Sequence, residues 1–269
     1  MGKKQGAGSK GEEFSPLHNA SFPIQNLKSK IVYSMSRDFV TIIVFFTFVA
    51  VVINILYFQW ENKKEQQRSD KIKLIVAQLK MNFLAEDSNN IIQNLHNFRL
   101  FNKGGRKLVK NILSKEIKNF KIYIFEYRYS ISSAKTRYEH WQTVAFLYDD
   151  NMRFCKFFLK PKGILDQLSH FLGYQDIKFE NYPRFSEQYL LRGSDEQGIR
   201  QIFTDNVLSF FEAKIGFYPA IQTTPCLEAA DSCLIYYREN VRLEPEQIEL
   251  FLQEGMEVFD LLRAKVSNN

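Results

Sequence analysis

The sequence predicts an α+β protein: one N-terminal transmembrane helix, then a domain in which helices pack on an antiparallel sheet. Three patterns carry that reading. Phe39 to Phe58, FVTIIVFFTFVAVVINILYF, is an apolar run whose length, at about 1.5 Å per residue, matches a hydrocarbon core of roughly 30 Å. Tyr123, Phe125, Tyr127 and Tyr129 alternate with Ile124, Glu126 and Arg128, the period of a strand. Ile248, Phe251, Leu252, Met256, Phe259 and Leu262 recur at helical spacing and make one apolar face.

Residues 1–25 are rich in glycine, serine and lysine and poor in apolar side chains, so too little surface can be buried to order them and a disordered tail is expected. The transmembrane helix is placed at residues 39–60. A core helix keeps a polar face where it meets water, whereas the polar members of this run are only Thr41, Thr47 and Asn54. Threonine hydroxyls bond the carbonyl one turn back in their own helix. Asn54 is expected to bond a neighbouring helix or headgroup water, and Tyr57 and Trp60 fall where interfacial aromatics collect. A cleaved signal peptide fits poorly, because the run starts late and no small-residue cleavage pattern follows Trp60.

Lys28, Lys30 and Arg37 precede the run, and Lys63, Lys64, Arg68, Lys71 and Lys73 follow it. The richer C-terminal flank places the large domain in the cytoplasm of a single-pass membrane protein. Cys155, Cys226 and Cys233 are an odd number of thiols, which fits a reducing compartment; Cys226 and Cys233 are the pair that an oxidising space would join. About 200 residues follow the anchor, enough for one domain with its own core. The net charge of +6 is spread along the chain. Nucleic-acid binding wants a denser stripe and a readable motif, so no nucleic acid is expected as a partner, and anionic lipid beside the anchor accounts for the charge.

Past the span, Ile72, Ile75, Leu79, Phe83 and Leu84 keep helical spacing, which makes residues 61–90 a juxtamembrane helical stalk or the first helix of the domain, itself placed at 91–265. Gly104 and Gly105 interrupt the chain, and Leu108, Ile112, Leu113 and Ile117 resume helical spacing, with short strands as the alternative. The aromatic strand follows, then a polar turn at Ser132 to Arg137, a strand over Tyr138 to Tyr148, a turn at Asp149 to Asn151 and a strand over Arg153 to Leu159 closed by Pro161. Three strands without intervening helices read as an antiparallel meander. Gly163 to Phe171 has helical spacing with Gly173 as its cap. Tyr189 to Arg192 is a short strand. Ser194 with Gln197 forms a capping box that starts the next helix, and Thr204 caps another, carrying Val207, Leu208, Phe211 and Ile215 and ending at Gly216. Strands at Cys226 to Ala229 and Cys233 to Tyr237 flank a turn at Asp231, and Pro245 opens the final helix.

Phe125 to Val144, FEYRYSISSAKTRYEHWQTV, Asp176 to Thr204, DIKFENYPRFSEQYLLRGSDEQGIRQIFT, and Cys233 to Arg238, CLIYYR, resemble a family of uncharacterised bacterial membrane-anchored proteins over about Phe98 to Leu262. Where members often carry a glycine-rich turn, this chain has Ser132, Ser133 and Ala134. The resemblance implies a bacterial origin, a membrane anchor and a shared fold, and carries no activity onto particular residues.

Arg192, Asp195, Glu196 and Arg200 bring two carboxylates and two guanidiniums together just after a strand end. Asp195 and Glu196 fall in a first helical turn, where acidic side chains favour the exposed N–H groups and the dipole, and the arginines can pair with them. With no nucleophile or metal set nearby, the functional alternative is an anionic ligand held by Arg192 and Arg200. His18, His96, His140 and His170 are not at metal-ligand spacing. Cys155, between Phe154 and Phe157, has no adjacent base and reads as inert. Gly104 to Lys107 lacks the phosphate-loop pattern and reads as a basic turn. The Tyr123 to Tyr129 stripe is core under helices or, alternatively, a stacking platform. No catalytic, cofactor or metal site is therefore expected. The sequence points to a membrane-anchored, non-enzymatic module that meets the bilayer through Phe39 to Phe58 and binds a protein partner by a helix face or a sheet edge. The alternative is a membrane-tethered enzyme or sensor recognising an anion through Arg192 and Arg200.

Overall fold

The structure, a computed structural model, describes residues 22–86, 95–133, 136–163, 176–215 and 224–266. The chain divides into two compact units, Met1–Lys63 and Lys64–Asn269. Helix α1 (Phe22–Leu79) carries the apolar run in the first unit, and its end from Lys64 to Leu79 belongs to the second. Phe22 to Gln25, expected in the tail, belong to this helix, and residues 1–21 of that tail lie outside the described residues.

The second unit is built on eight strands: β1 (Asn82–Glu86), β2 (Gly105–Ile117), β3 (Phe120–Ser132), β4 (Arg137–Asp149), β5 (Phe154–Pro161), β6 (Tyr189–Gly193), β7 (Cys226–Asp231) and β8 (Cys233–Tyr237). They form one antiparallel sheet in the order β1-β2-β3-β4-β8-β7-β5-β6. Among the described residues, helices α2 (Pro183–Gln188), α3 (Glu196–Ile202), α4 (Asp205–Lys214) and α5 (Ile248–Val266) accompany it. The fold is α+β, as the sequence predicts.

Strand periodicity sorts side chains onto two faces. One face carries Ile122 and Ile124 of β3, Ala145 and Leu147 of β4, and Leu234 and Tyr236 of β8, packed with Ile72 and Val76 of α1 and Phe251, Phe259 and Leu262 of α5. The other carries Phe125, Tyr127 and Tyr129 of β3 beneath Leu95, Phe98, Leu100 and Phe101. The aromatic stripe is therefore core. Its cover is a connector ending in a 3-10 turn at Leu100–Asn102, with Phe101 4.8 Å from the Tyr127 ring in an edge-on arrangement.

The stretch 61–90, expected as a helical stalk or first helix, divides. Helix α1 ends at Leu79, Ile72 and Val76 are buried in the core, and β1 follows as an edge strand. Lys80 takes a left-handed φ of 53°, which breaks the helix so that the chain turns back onto β2. Leu108 to Ile117 is a strand and not a helix. A bulge explains the misleading spacing: Lys110 pairs with Glu126 but Leu113 with Ile124, so β2 spends one extra residue, and Asn111 sits at φ 50°. The meander also breaks after its second strand, since the β7–β8 hairpin inserts between β4 and β5. Asp231, at φ 54°, makes that hairpin's turn. Asp195 caps α3 in place of the expected Ser194, accepting from the Gly198 N–H at 3.0 Å. The box at the last helix is formed by Glu244 and Gln247 around Pro245. The helix expected after Gly163, the Gly173 cap and Gly216 lie outside the described residues.

Candidate functional site

Two features of this chain bear on function. The first is the apolar stretch of α1, the one helix among the described residues that is long and apolar enough to cross a membrane. Phe39, Phe46, Phe48 and Phe58 are exposed along it. Its polar side chains are satisfied within the helix: Thr41 Oγ1 donates to the Arg37 carbonyl at 2.9 Å, Thr47 Oγ1 to the Val44 carbonyl at 2.8 Å, and Asn54 Nδ2 to the Ala50 carbonyl at 2.7 Å. The threonines behave as expected. Asn54 finds its acceptor in its own helix, because its amide is short enough to fold back one turn, which lowers the cost of placing it in lipid.

The second is a cavity of about 230 Å³ on the connector-covered face, over β5, β6 and β7. Register builds its floor. Phe158 lies opposite Arg192 on one side and Glu228 on the other, so an acid, an aromatic ring and a guanidinium stand in a row across three strands. Arg99, on the connector, lays its guanidinium 3.8 Å from the centre of the Phe158 ring. Lys156, two residues before Phe158, brings a third cation to the rim.

Glu228 is buried and its oxygens are engaged. Oε2 accepts from the Arg99 backbone N–H at 2.5 Å, while Oε1 accepts from the Leu100 N–H at 3.1 Å and the Tyr237 hydroxyl at 3.0 Å. Burial pushes its carboxyl above the usual range, against the pull of those hydrogen bonds and of Arg99. Its role is to pin the connector to the sheet.

The sequence-predicted group separates here. Arg192 is buried and lines the cavity. Asp195 is spent on its cap. Arg200 lies outside the cavity lining on α3, its side chain 42% exposed and bound to Glu196 at 2.7 Å, the Lys178 carbonyl at 2.9 Å and the Phe179 ring. Residues 192 and 200 are close in sequence, but one is on a strand face and the other on the outer turn of the next helix. Arg99, Lys156 and Glu228 are the members that sequence reasoning missed. Glu228 left a trace, a lone carboxylate in the apolar strand CLEAA; nothing local marks Arg99.

Elsewhere the expected sites have structural roles. His140 stacks on Tyr129 at 5.0 Å and bonds Asn240. His18 and His170 lie outside the described residues. The three cysteines are free, and burial pushes Cys226 up to about 12 and Cys233 up to about 11. Gly104 turns the chain at φ 53°, where a β-carbon would meet the Ser130 carbonyl at 2.5 Å, and the turn leads into strand β2 and not into a helix.

No protein-family model matches the chain, and no curated protein matches it. Among solved structures, the crystal structure of the mycobacterial trehalose monomycolate transport factor A, TtfA, is similar, with a TM-score of 0.51 and 12% sequence identity over 73% of this chain and 94% of that one. The two share a fold.

Proposed function

We propose that this chain is a membrane-tethered, non-enzymatic module of the bacterial membrane-anchored family it resembles, and that its Lys64–Asn269 unit binds a protein partner at the cytoplasmic face. The apolar stretch of α1, with every polar side chain from Thr41 to Asn54 satisfied within the helix, is the observation that carries the tether. The basic residues that follow it support the orientation. The fold is shared with a protein named as a trehalose monomycolate transport factor, which is compatible with a factor's role. A partner can add to β1, one of the two edge strands of the sheet.

Photocrosslinking in cells from a probe at Asn82 tests the binding. A discrete covalent adduct with one protein is expected, and no adduct under several growth conditions overturns the reading. Carbonate washing tests the tether: the full chain stays in the pellet, and its release to the supernatant without detergent overturns it.

A second reading, an anion held through Arg192 and Arg200, is favoured at Arg192 alone, because of these two arginines only Arg192 lines the cavity.

A further inference from the structure

We infer that the cavity over β5, β6 and β7 binds a small organic anion with an apolar body, its carboxylate or phosphate held by Arg99, Lys156 and Arg192. The inference rests on the ligand-binding alternative above and moves the second cation from Arg200 to Arg99 and Lys156.

Charge comes first. Three cationic side chains line the cavity against one carboxylate, Glu228. That carboxylate already accepts from two backbone N–H groups of the connector and from the Tyr237 hydroxyl of β8, so its hydrogen-bonding capacity is already engaged. An anion entering the cavity gains the field of the three cations in a site part-shielded from water, where such contacts are stronger than at an open surface.

Size and surface define the rest of the ligand. The cavity's 230 Å³ exceeds the roughly 150 Å³ of an engineered cavity that takes benzene and falls short of the ~300 Å³ where drug-sized pockets begin. One ring or a branched chain plus an anionic group fills it. Phe98 and Phe158 supply the apolar wall, with the Arg99 guanidinium 3.8 Å from the centre of the Phe158 ring. Two guanidiniums lining one cavity favour planar, bidentate recognition of a carboxylate or phosphate oxygen pair.

The full-length protein in detergent micelles, titrated with benzoate and with phenyl phosphate by calorimetry against empty micelles, tests the site. Benzamide is the neutral control. At least one anion is expected to bind saturably, at least about tenfold more tightly than benzamide, and to lose about tenfold or more in Arg99→Gln and in Lys156→Gln, as expected for a lost charge-assisted contact. Lys156 is exposed, so its variant keeps the fold. Arg200→Gln is expected to bind as the parent does. Absence of saturable binding by both anions overturns the site and the alternative it rests on. Binding unchanged in Arg99→Gln and Lys156→Gln but lost in Arg200→Gln overturns this site while keeping that alternative.

Discussion

Arg68 on α1 donates from Nε to Glu126 Oε1 on β3 at 2.7 Å, and this bond is the centre of a polar cluster that seats the helix on the sheet. Glu126 is only 2% exposed. Its second oxygen accepts from Arg242 and from Asn111 Nδ2. Arg242 in turn holds Glu65 through two bonds of 2.6 and 2.8 Å and lies 4.2 Å from the Trp141 ring. Asn111 occupies the β2 bulge, so the irregularity that disguises this strand also aims an amide at the carboxylate.

Glu126→Gln leaves two guanidiniums facing a neutral amide in a largely buried place. Removing one member of a buried ion pair costs about 3 kcal/mol. In a unit of this size the thermal midpoint falls by roughly 6–12 °C, read by near-ultraviolet circular dichroism of the detergent-solubilised chain. A shift under ~2 °C shows that the cluster contributes little to seating α1.

Glu228 gives the fold a pH dependence of opposite sign to the usual carboxylate. Its folded pKa is raised above 4.5, so its contribution to stability is complete below the unfolded value and is lost as pH rises through the folded one. Glu228→Gln removes this dependence. As pH rises above the ordinary carboxylate range, the variant's urea midpoint falls less, or rises more, than the parent's. The same variant leaves the Arg99 N–H facing an amide, so that amide exchanges faster than in the parent.

Gly193 stands where β6 hands over to α3. A β-carbon there meets Ile199 Cδ1 at 2.3 Å, the Lys156 carbonyl at 2.4 Å and Phe157 Cβ at 3.0 Å. Two of those neighbours are backbone or backbone-attached and cannot swing away. Gly193→Ala therefore costs about 1–3 kcal/mol by overpacking, measured by urea unfolding, and weakens benzoate binding because Arg192 and Lys156 flank the displaced backbone.

The tether is tested from inside the run. Phe46→Asp with Val51→Asp places two charges at roughly 2.5–3.5 kcal/mol each near the middle of the span, and the doubly substituted chain is expected in the carbonate supernatant. Sidedness needs an added thiol. Burial raises all three native thiols, Cys155 among them, with Cys226 pushed up to about 12 and Cys233 up to about 11, so little native thiolate exists near neutrality. Ser133→Cys, on the exposed β3–β4 hairpin, is labelled by an impermeant maleimide only after cells are opened if the unit is cytoplasmic; labelling of intact cells reverses the orientation.

Local pattern was enough for elements whose burial follows one period. The Phe39 to Phe58 run, the alternating face of β3, the Cys233 to Tyr237 strand and the amphipathic α5 each show their environment in their own residues, because an element that keeps one backbone period keeps each side chain on a fixed face. β2 defeats the rule for a physical reason: it shifts phase at Asn111, so Val109 and Ile112 meet one core while Leu113 meets the other.

The candidate site was less visible still. Arg192 could be singled out from its neighbours in the chain, but its working companions are 93 and 36 positions away, at Arg99 and Lys156. By itself the sequence determined a greasy helix, an antiparallel α+β unit after it and the faces of its regular elements, since side-chain hydrophobicity and backbone period are local quantities. Only the tertiary structure decided the strand order, the bulge, the parting of Arg192 from Arg200 and the cavity beside Phe158, because hydrogen-bonded register between distant strands chooses which residues become neighbours.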